Sequence, residues 1–169
     1  MRPFRRGNRA NSEPALKADL IITRHVIAGM AAGVIPLPIL FDIAAVSAIE
    51  VNMIARLAKA YSVPVPQRHV VAKVLVSLAG GIAPAYLSAK STQLITGFPL
   101  AGRFIFVAGL SLWSGVSVYA VGKVFQEHFE SGGTFLSRDS SVIRAFFDEK
   151  KAEARIRVPA LIRAEPKVA

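Results

Sequence analysis

The sequence of 169 residues contains no cysteine, few aromatic side chains and about half as many acidic as basic residues. The missing cysteine excludes disulfides, thiolate metal sites and cysteine nucleophiles. Aromatic residues make up only 8% of the chain, with a single tryptophan. Eleven Asp and Glu stand against 21 Lys and Arg, which gives a formal net charge of +10.

Hydrophobic residues are abundant, at 53% of the chain with a mean hydropathy of +0.44. This content argues against a disordered polyelectrolyte, which needs low hydrophobicity. It is also too high for a simple DNA-binding module. The basic tails lack interleaved aromatic residues and any recognisable nucleic-acid motif, so nucleic acid is not an expected partner. The length fits one domain with one core.

Motifs that carry catalysis or bind metals are missing. The histidines 25, 69 and 128 are far apart, and none has a second ligand at metal spacing. There is no Gly-x-Ser-x-Gly elbow. The stretch from Gly115 to Lys123 departs from a phosphate-binding loop in its glycine spacing and lacks the magnesium-binding Ser or Thr. We therefore expect no enzymatic activity, no metal and no cofactor.

Long apolar runs rich in alanine predict an all-α fold. We expect two helical hairpins followed by a short amphipathic C-terminal helix. The four main helices are predicted at residues 13–33, 39–61, 67–89 and 100–130. Ser12 is a candidate N-cap for the first helix, and Asp139 or Ser140 for the last.

Two features suggest contact with lipid. No charged residue occurs from Val26 to Phe41, although this stretch includes the turn between the first two helices. An apolar turn suits a hairpin tip that enters lipid or is covered by other helices. Residues 104–122 form an uncharged run of 19 residues, close to the length of a membrane span. Trp113 lies near the middle of this run, which argues against a simple span because tryptophans prefer membrane interfaces.

The charge concentrates at the two ends of the chain. We therefore divide it into a basic N-terminal tail (1–17), a hydrophobic helical domain (18–131) and a C-terminal amphipathic helix with a basic tail (132–169). Paired hairpins would put most Lys and Arg on one side, which predicts a bacterial inner-membrane protein with cytoplasmic termini. The second hairpin would insert more deeply, and the first would be re-entrant or peripheral. Residues expected at an anionic lipid surface are Arg2, Arg5, Arg6, Arg9, Lys150, Lys151, Arg155 and Arg157.

Four strings carry a family resemblance. They are Asp19–His25, Gly33–Pro38 followed by Asp42–Ala45, Met53–Tyr61, and Tyr119–Gly133. Over about residues 18–147 the chain resembles the YcjF-like proteins, a bacterial hydrophobic family defined by domain of unknown function 697. The resemblance implies an all-helical, membrane-associated module with a GTPase as partner. It supplies no catalytic residues.

Two functional hypotheses follow. In the first, the chain is a membrane-associated adaptor or assembly factor that contacts anionic lipid and a protein partner. In the second, it is a soluble helical bundle whose apolar hairpins are masked in a homo-oligomer or partner complex. A pore is less favoured because few polar residues could line it. Asp42 is expected to cap the second helix. The candidate interaction surface comprises Ile35, Pro36, Pro38, Asp42, Tyr119, Gly122, Lys123, His128 and Gly132.

Overall fold

A computed structural model describes residues 12–34, 39–79 and 100–163. Within these ranges the chain is helical and contains no strand. The elements are α1 (Glu13–Val34), α2 (Ile39–Ala60), α3 (Arg68–Ala79), α4 (Leu100–Glu130), a 3₁₀ turn (Phe135–Ser137) and α5 (Ser140–Arg163).

The predicted all-α class is confirmed. The bounds of α1, α2 and α4 agree with the sequence-based ranges to within one residue. The tip of the first hairpin and residues 80–99 of the second lie outside the described ranges. The boundary placed at residues 17 and 18 falls inside α1.

The C-terminal helix is longer than expected. It has 24 residues, not the few turns that its charged sequence suggested. Its length follows from packing, because Phe147, Ala154 and Val158 are all buried along one face. Val142, near the start of the helix, is 45% exposed. Helix α5 is therefore part of the bundle.

Helix α4 is the central element, and the other long helices pack around it. Asp19 of α1 pairs with Lys123, whereas Met30 accepts a hydrogen bond from Ser111, so α1 and α4 are antiparallel. Helix α5 is also antiparallel to α4, and α2 is parallel to it. The largest fully buried side chains are Phe125, Ile22, Met53, Ile54, Leu57, Val26, Val118, Val124 and Val158.

Glycines allow α1 and α4 to approach closely. A Cβ atom on Gly33 would lie 2.9 Å from the backbone Cα of Ser111. A Cβ on Gly29 would lie 2.8 Å from Val118 Cγ2, and one on Gly122 would lie 2.9 Å from Ile22 Cγ1. The Gly-x-x-x-Gly spacing of α1 thus acts within this chain, by bringing two of its helices together.

The helix ends use standard caps. The side chain of Asp139 accepts a hydrogen bond from the backbone N–H of Ser141 (2.8 Å), which confirms it as the N-cap of α5. After α4, Gly132 and Gly133 adopt positive φ angles of 73° and 83°. The N–H of Gly133 returns to the carbonyl of His128 (2.8 Å), and this bond closes the end of the helix.

The two glycines Gly33 and Gly109 should respond oppositely to alanine. Gly33→Ala should destabilise the protein by about 1–3 kcal/mol because backbone atoms of α4 must move. A Cβ atom on Gly109 would meet no neighbour within 4 Å. Gly109→Ala should stabilise by about 0.5–1 kcal/mol because it removes backbone entropy from the unfolded state. Chemical unfolding of both variants measures this difference. Equal effects would contradict the close packing of α1 on α4.

Candidate membrane-contact surface

The exposed surface of α1 changes character near His25. On the N-terminal side, exposed positions include Glu13, Lys17, Asp19 and Arg24, together with two leucines. On the C-terminal side, all exposed positions are apolar: Ile27, Ala28, Ala31 and Val34. The change occurs within one turn of helix.

Helix α2 shows the same change at the same level. Among its residues from 43 to 51, the exposed positions are Ile43, Ala44, Ala48 and Val51. From residue 52 onward the exposed positions are Asn52, Arg56 and Lys59. The hairpin therefore has an apolar end and a charged end, separated by one plane.

One hydrogen bond between α1 and α2 and one within α2 mark this plane. His25 Nε2 lies 3.2 Å from Asn52 Oδ1, and Arg56 Nε donates to the same oxygen at 2.9 Å. We call His25, Asn52 and Arg56 the polar girdle. Sequence reasoning missed the girdle, because its members come from two helices whose register only the fold reveals.

The apolar end has a depth that suits partial entry into a bilayer. Ile27 to Val34 spans about 11 Å, and Ile43 to Val51 spans about 12 Å, at a rise of about 1.5 Å per residue. A hydrocarbon core is about 30 Å thick. The described apolar end is therefore long enough to enter one leaflet of a bilayer.

Helix α4 runs through both ends of the bundle. Val107–Glu130 is apolar and long enough to cross a membrane, but 61% of its apolar window is buried inside the structure. Its C-terminal half therefore belongs to the protein core. Beside the hairpin's apolar end, α4 exposes Ala108 and Gly109.

A hydrogen-bond network joins three helices at the charged end. Tyr61 of α2 donates to Glu130 (2.5 Å), which also accepts from Gln126 (3.0 Å). Lys123 donates to Gln126 (2.8 Å) and pairs with Asp19 of α1 (2.5 Å). Gln126 is itself buried. These bonds tie α1 and α2 to the polar half of α4.

A second set of bonds attaches α5. The Tyr119 hydroxyl donates to Glu153 (2.8 Å), which also binds Lys150 (2.9 Å) and Arg157 (3.0 Å). Burial opposes ionisation of Glu153, but hydrogen bonds from Lys150 and Tyr119 hold its pKa below its usual value. The charged end of α5 is thus fixed to α4.

The proposed interaction residues fall into two groups. Tyr119 and Gly122 are buried, and Lys123 is mostly buried by its partners, so these three lie between helices. Gly132 is exposed. His128 accepts a hydrogen bond from the N–H of Leu136 (3.3 Å), and burial lowers its pKa. The candidate residues between Tyr119 and His128 therefore mainly join parts of the bundle.

Seven of the predicted residues lie outside the described ranges. They are Ile35, Pro36, Pro38 and the arginines 2, 5, 6 and 9. Helix α2 begins at Ile39. Asp42 is therefore its fourth residue, so the prediction that it is the N-cap is wrong.

The basic residues of α5 have different environments. Lys150 pairs with Glu149 and Glu153, and Lys151 pairs with Asp148 (3.1 Å). Both lysines also stand over phenylalanine rings. Arg155 instead stacks on Trp113, with its guanidinium carbon 5.8 Å from the ring centre.

Glu50 is a buried carboxyl between α2 and α4. It is only 6% exposed and accepts one hydrogen bond from the Ser117 hydroxyl (3.2 Å). Desolvation raises the pKa of Glu50 to about 7, against a small opposing effect of the Ser117 bond. In the described ranges, no group of three or more His, Asp or Glu side chains could hold a metal ion.

Comparison with known proteins places the chain in context. The family model of the domain of unknown function DUF697 matches residues 9–153. The chain is 35% identical over 139 residues to magnetosome membrane protein 22 of Magnetospirillum gryphiswaldense, with 80% of this chain and 69% of that protein covered. No solved structure matches the chain.

Glu50→Gln should change how stability depends on pH. A carboxyl whose folded pKa is raised stabilises the fold most below its unfolded pKa, here 4.5, and this contribution is lost as pH rises to about 7. The loss corresponds to roughly 3 kcal/mol at about 1.4 kcal/mol per pKa unit. Glutamine keeps an acceptor for Ser117 but cannot ionise.

Unfolding in mild detergent between pH 4 and 8 measures this effect. The free energy of unfolding of Glu50→Gln should exceed that of the wild type increasingly from about pH 4.5 to 7 and then stay constant. Parallel pH profiles would show that Glu50 is solvated, contrary to its burial. Ser117→Ala serves as a control that removes the hydrogen bond without removing the titrating group.

Proposed function

The chain belongs to the DUF697 family, and on that premise we propose that it is a non-enzymatic, membrane-associated adaptor or assembly factor. The change from charged to apolar surface at the polar girdle carries this proposal. The name of the magnetosome relative supports a membrane location.

The lipid bilayer is the proposed occupant of the apolar end. The exposed side chains of residues 26–34 and 43–49 are all apolar: Ile27, Ala28, Ala31, Val34, Ile43, Ala44 and Ala48. Burying such a surface in hydrocarbon is favourable. A boundary at one level on two helices fits a planar medium better than a compact protein ligand.

The orientation follows from charge. The N-terminus of α1, the end of α2 and the start of α5 all lie at the charged end, where Lys and Arg concentrate. Cytoplasmic segments of membrane proteins carry an excess of these residues. We therefore place the charged end, with the N-terminus of α1 and the start of α5, on the cytoplasmic side of a bacterial inner membrane.

A protein partner would bind the charged end. Leu16 and Leu20 are 57% and 53% exposed there. They are one helical turn apart on α1, between its N-terminus and the girdle. Large exposed apolar side chains at this spacing suit a protein contact. The resemblance to GTPase-linked proteins makes a small GTPase the partner we propose.

Membrane insertion can be tested with two matched double variants. Ile27→Lys/Ile43→Lys and Leu16→Lys/Leu20→Lys each replace two exposed apolar side chains on the bundle surface. Both add two positive charges. Only Ile27 and Ile43 lie at the apolar end. Only the Ile27→Lys/Ile43→Lys variant should therefore be released from membranes by a carbonate wash. Two lysines in hydrocarbon cost on the order of 5 kcal/mol in total.

The outcomes separate an inserted hairpin from a soluble bundle. Circular dichroism must show equal helix content for both variants. If the wild type itself is released by carbonate, insertion is contradicted. A detergent-free, monodisperse oligomer of the wild type would instead favour the soluble bundle masked by its own copies.

The partner can be tested with a photoreactive amino acid at Leu20 in living cells. The crosslinked product should be retained on a guanine-nucleotide resin and competed off by free GTP. A control at Lys59, at the same end but on α2, should give less of this product. A crosslinked protein that does not bind guanine nucleotide would contradict the GTPase.

A further inference from the structure

Two arginines of α5 lie close to the proposed membrane boundary. Glu153 contacts Tyr119, and a Cβ atom on Gly115 would lie 3.1 Å from Val158 Cγ1. Arg155 and Arg157 are therefore level with residues 115–119 of α4. On the opposite side of α4 this level faces Gly29, about one turn below His25.

The charge of α5 changes at the same level. Its acidic residues end at Glu153, and from Arg155 to Arg163 the helix contains only basic and apolar residues. Ile156 is 79% exposed between two arginines. Long cationic side chains at such a position can extend to the headgroups while the apolar side chain between them contacts acyl chains.

These arginines are more available than the lysines before them. Lys150 and Lys151 are largely buried, and they pair with Glu153 and Asp148 of the same helix. In the part of the chain that the structure describes, Arg155 has no carboxylate within ion-pair distance and contacts the ring of Trp113. Arg157 binds Glu153 through Nε, but its side chain is 62% exposed.

Trp113 lies beside Arg155 in the middle of the uncharged run of α4. Its ring contacts the guanidinium group of Arg155. Among the described residues, its Nε1 is the only buried side-chain nitrogen or oxygen without a hydrogen-bond partner.

We propose that Arg155 and Arg157 bind the phosphate of an acidic phospholipid while Ile156 enters the acyl region. Guanidinium groups suit this ligand because their planar N–H groups can bind two phosphate oxygens at once. Stacking on Trp113 orders the guanidinium group of Arg155 against α4. This inference rests on the proposed membrane insertion and adds the lipid class and the residues that select it.

The test measures binding of the full-length chain to vesicles of phosphatidylcholine alone and with phosphatidylglycerol. Arg155→Gln/Arg157→Gln should lower the partition coefficient on phosphatidylglycerol vesicles by about tenfold or more, since each basic residue at an anionic surface contributes about a fivefold effect. Binding to phosphatidylcholine should be nearly unchanged. The emission of Trp113, the single tryptophan, reports the contact directly.

Lys59→Gln/Lys73→Gln is the charge-matched control. Both lysines are exposed at the charged end of the bundle. This control should lower binding to phosphatidylglycerol by less than threefold and leave the change in Trp113 emission intact. Free glycerol 3-phosphate should not displace the wild type, because the site requires the acyl chains beside the headgroup.

Each result decides between the proposals. Equal losses of phosphatidylglycerol binding in the two glutamine variants would overturn the arginine site and indicate general electrostatic attraction. Binding to phosphatidylcholine would still support insertion. Displacement by glycerol 3-phosphate would overturn the lipid as ligand. Failure of the wild type to bind either vesicle would overturn membrane insertion as well. Thermal unfolding checks that the Arg155→Gln/Arg157→Gln protein is folded.

Discussion

The close packing of α1 on α4 determines the level of every other feature in this bundle. Gly29 and Gly33 meet the backbone and small side chains of α4, and Asp19 pairs with Lys123 at the other end. This fixes the longitudinal register of the two helices. Because α2 packs on the same core, its charged and apolar segments are aligned with those of α1.

The register gives the bundle one polar end and one apolar end. At one end, Tyr61, Lys123 and Glu130 are joined through hydrogen bonds that seal the bundle with polar contacts. At the other, the exposed side chains of α1 and α2 are apolar. The buried carboxyl of Glu50 lies about half a helical turn from Asn52, on the apolar side of the girdle. Burial raises its pKa to about 7, which favours the uncharged form below neutral pH. Insertion thus needs no change in the fold.

Much of the fold followed from sequence. Long apolar runs located α1, α2 and α4, and the candidate cap at Asp139 or Ser140 located the start of α5. The length of α5 could not be predicted, because its buried contacts are few and separated by charged residues. Periodicity on one helix also cannot reveal its level relative to another. The girdle and the environment of Arg155 could therefore not be predicted from the sequence. The polar residues Tyr119 and Lys123 form hydrogen bonds within the bundle.

The central claim is that one plane through His25 and Asn52 separates water from lipid. The sequence has no cysteine, so single cysteines can be labelled without background. Spin labels at Leu20, Ala31, Ala48 and Lys59 in reconstituted vesicles would report accessibility to oxygen and to a water-soluble nickel complex. We predict that Ala31 and Ala48 favour oxygen and that Leu20 and Lys59 favour nickel. Strong nickel accessibility at all four positions would contradict the account.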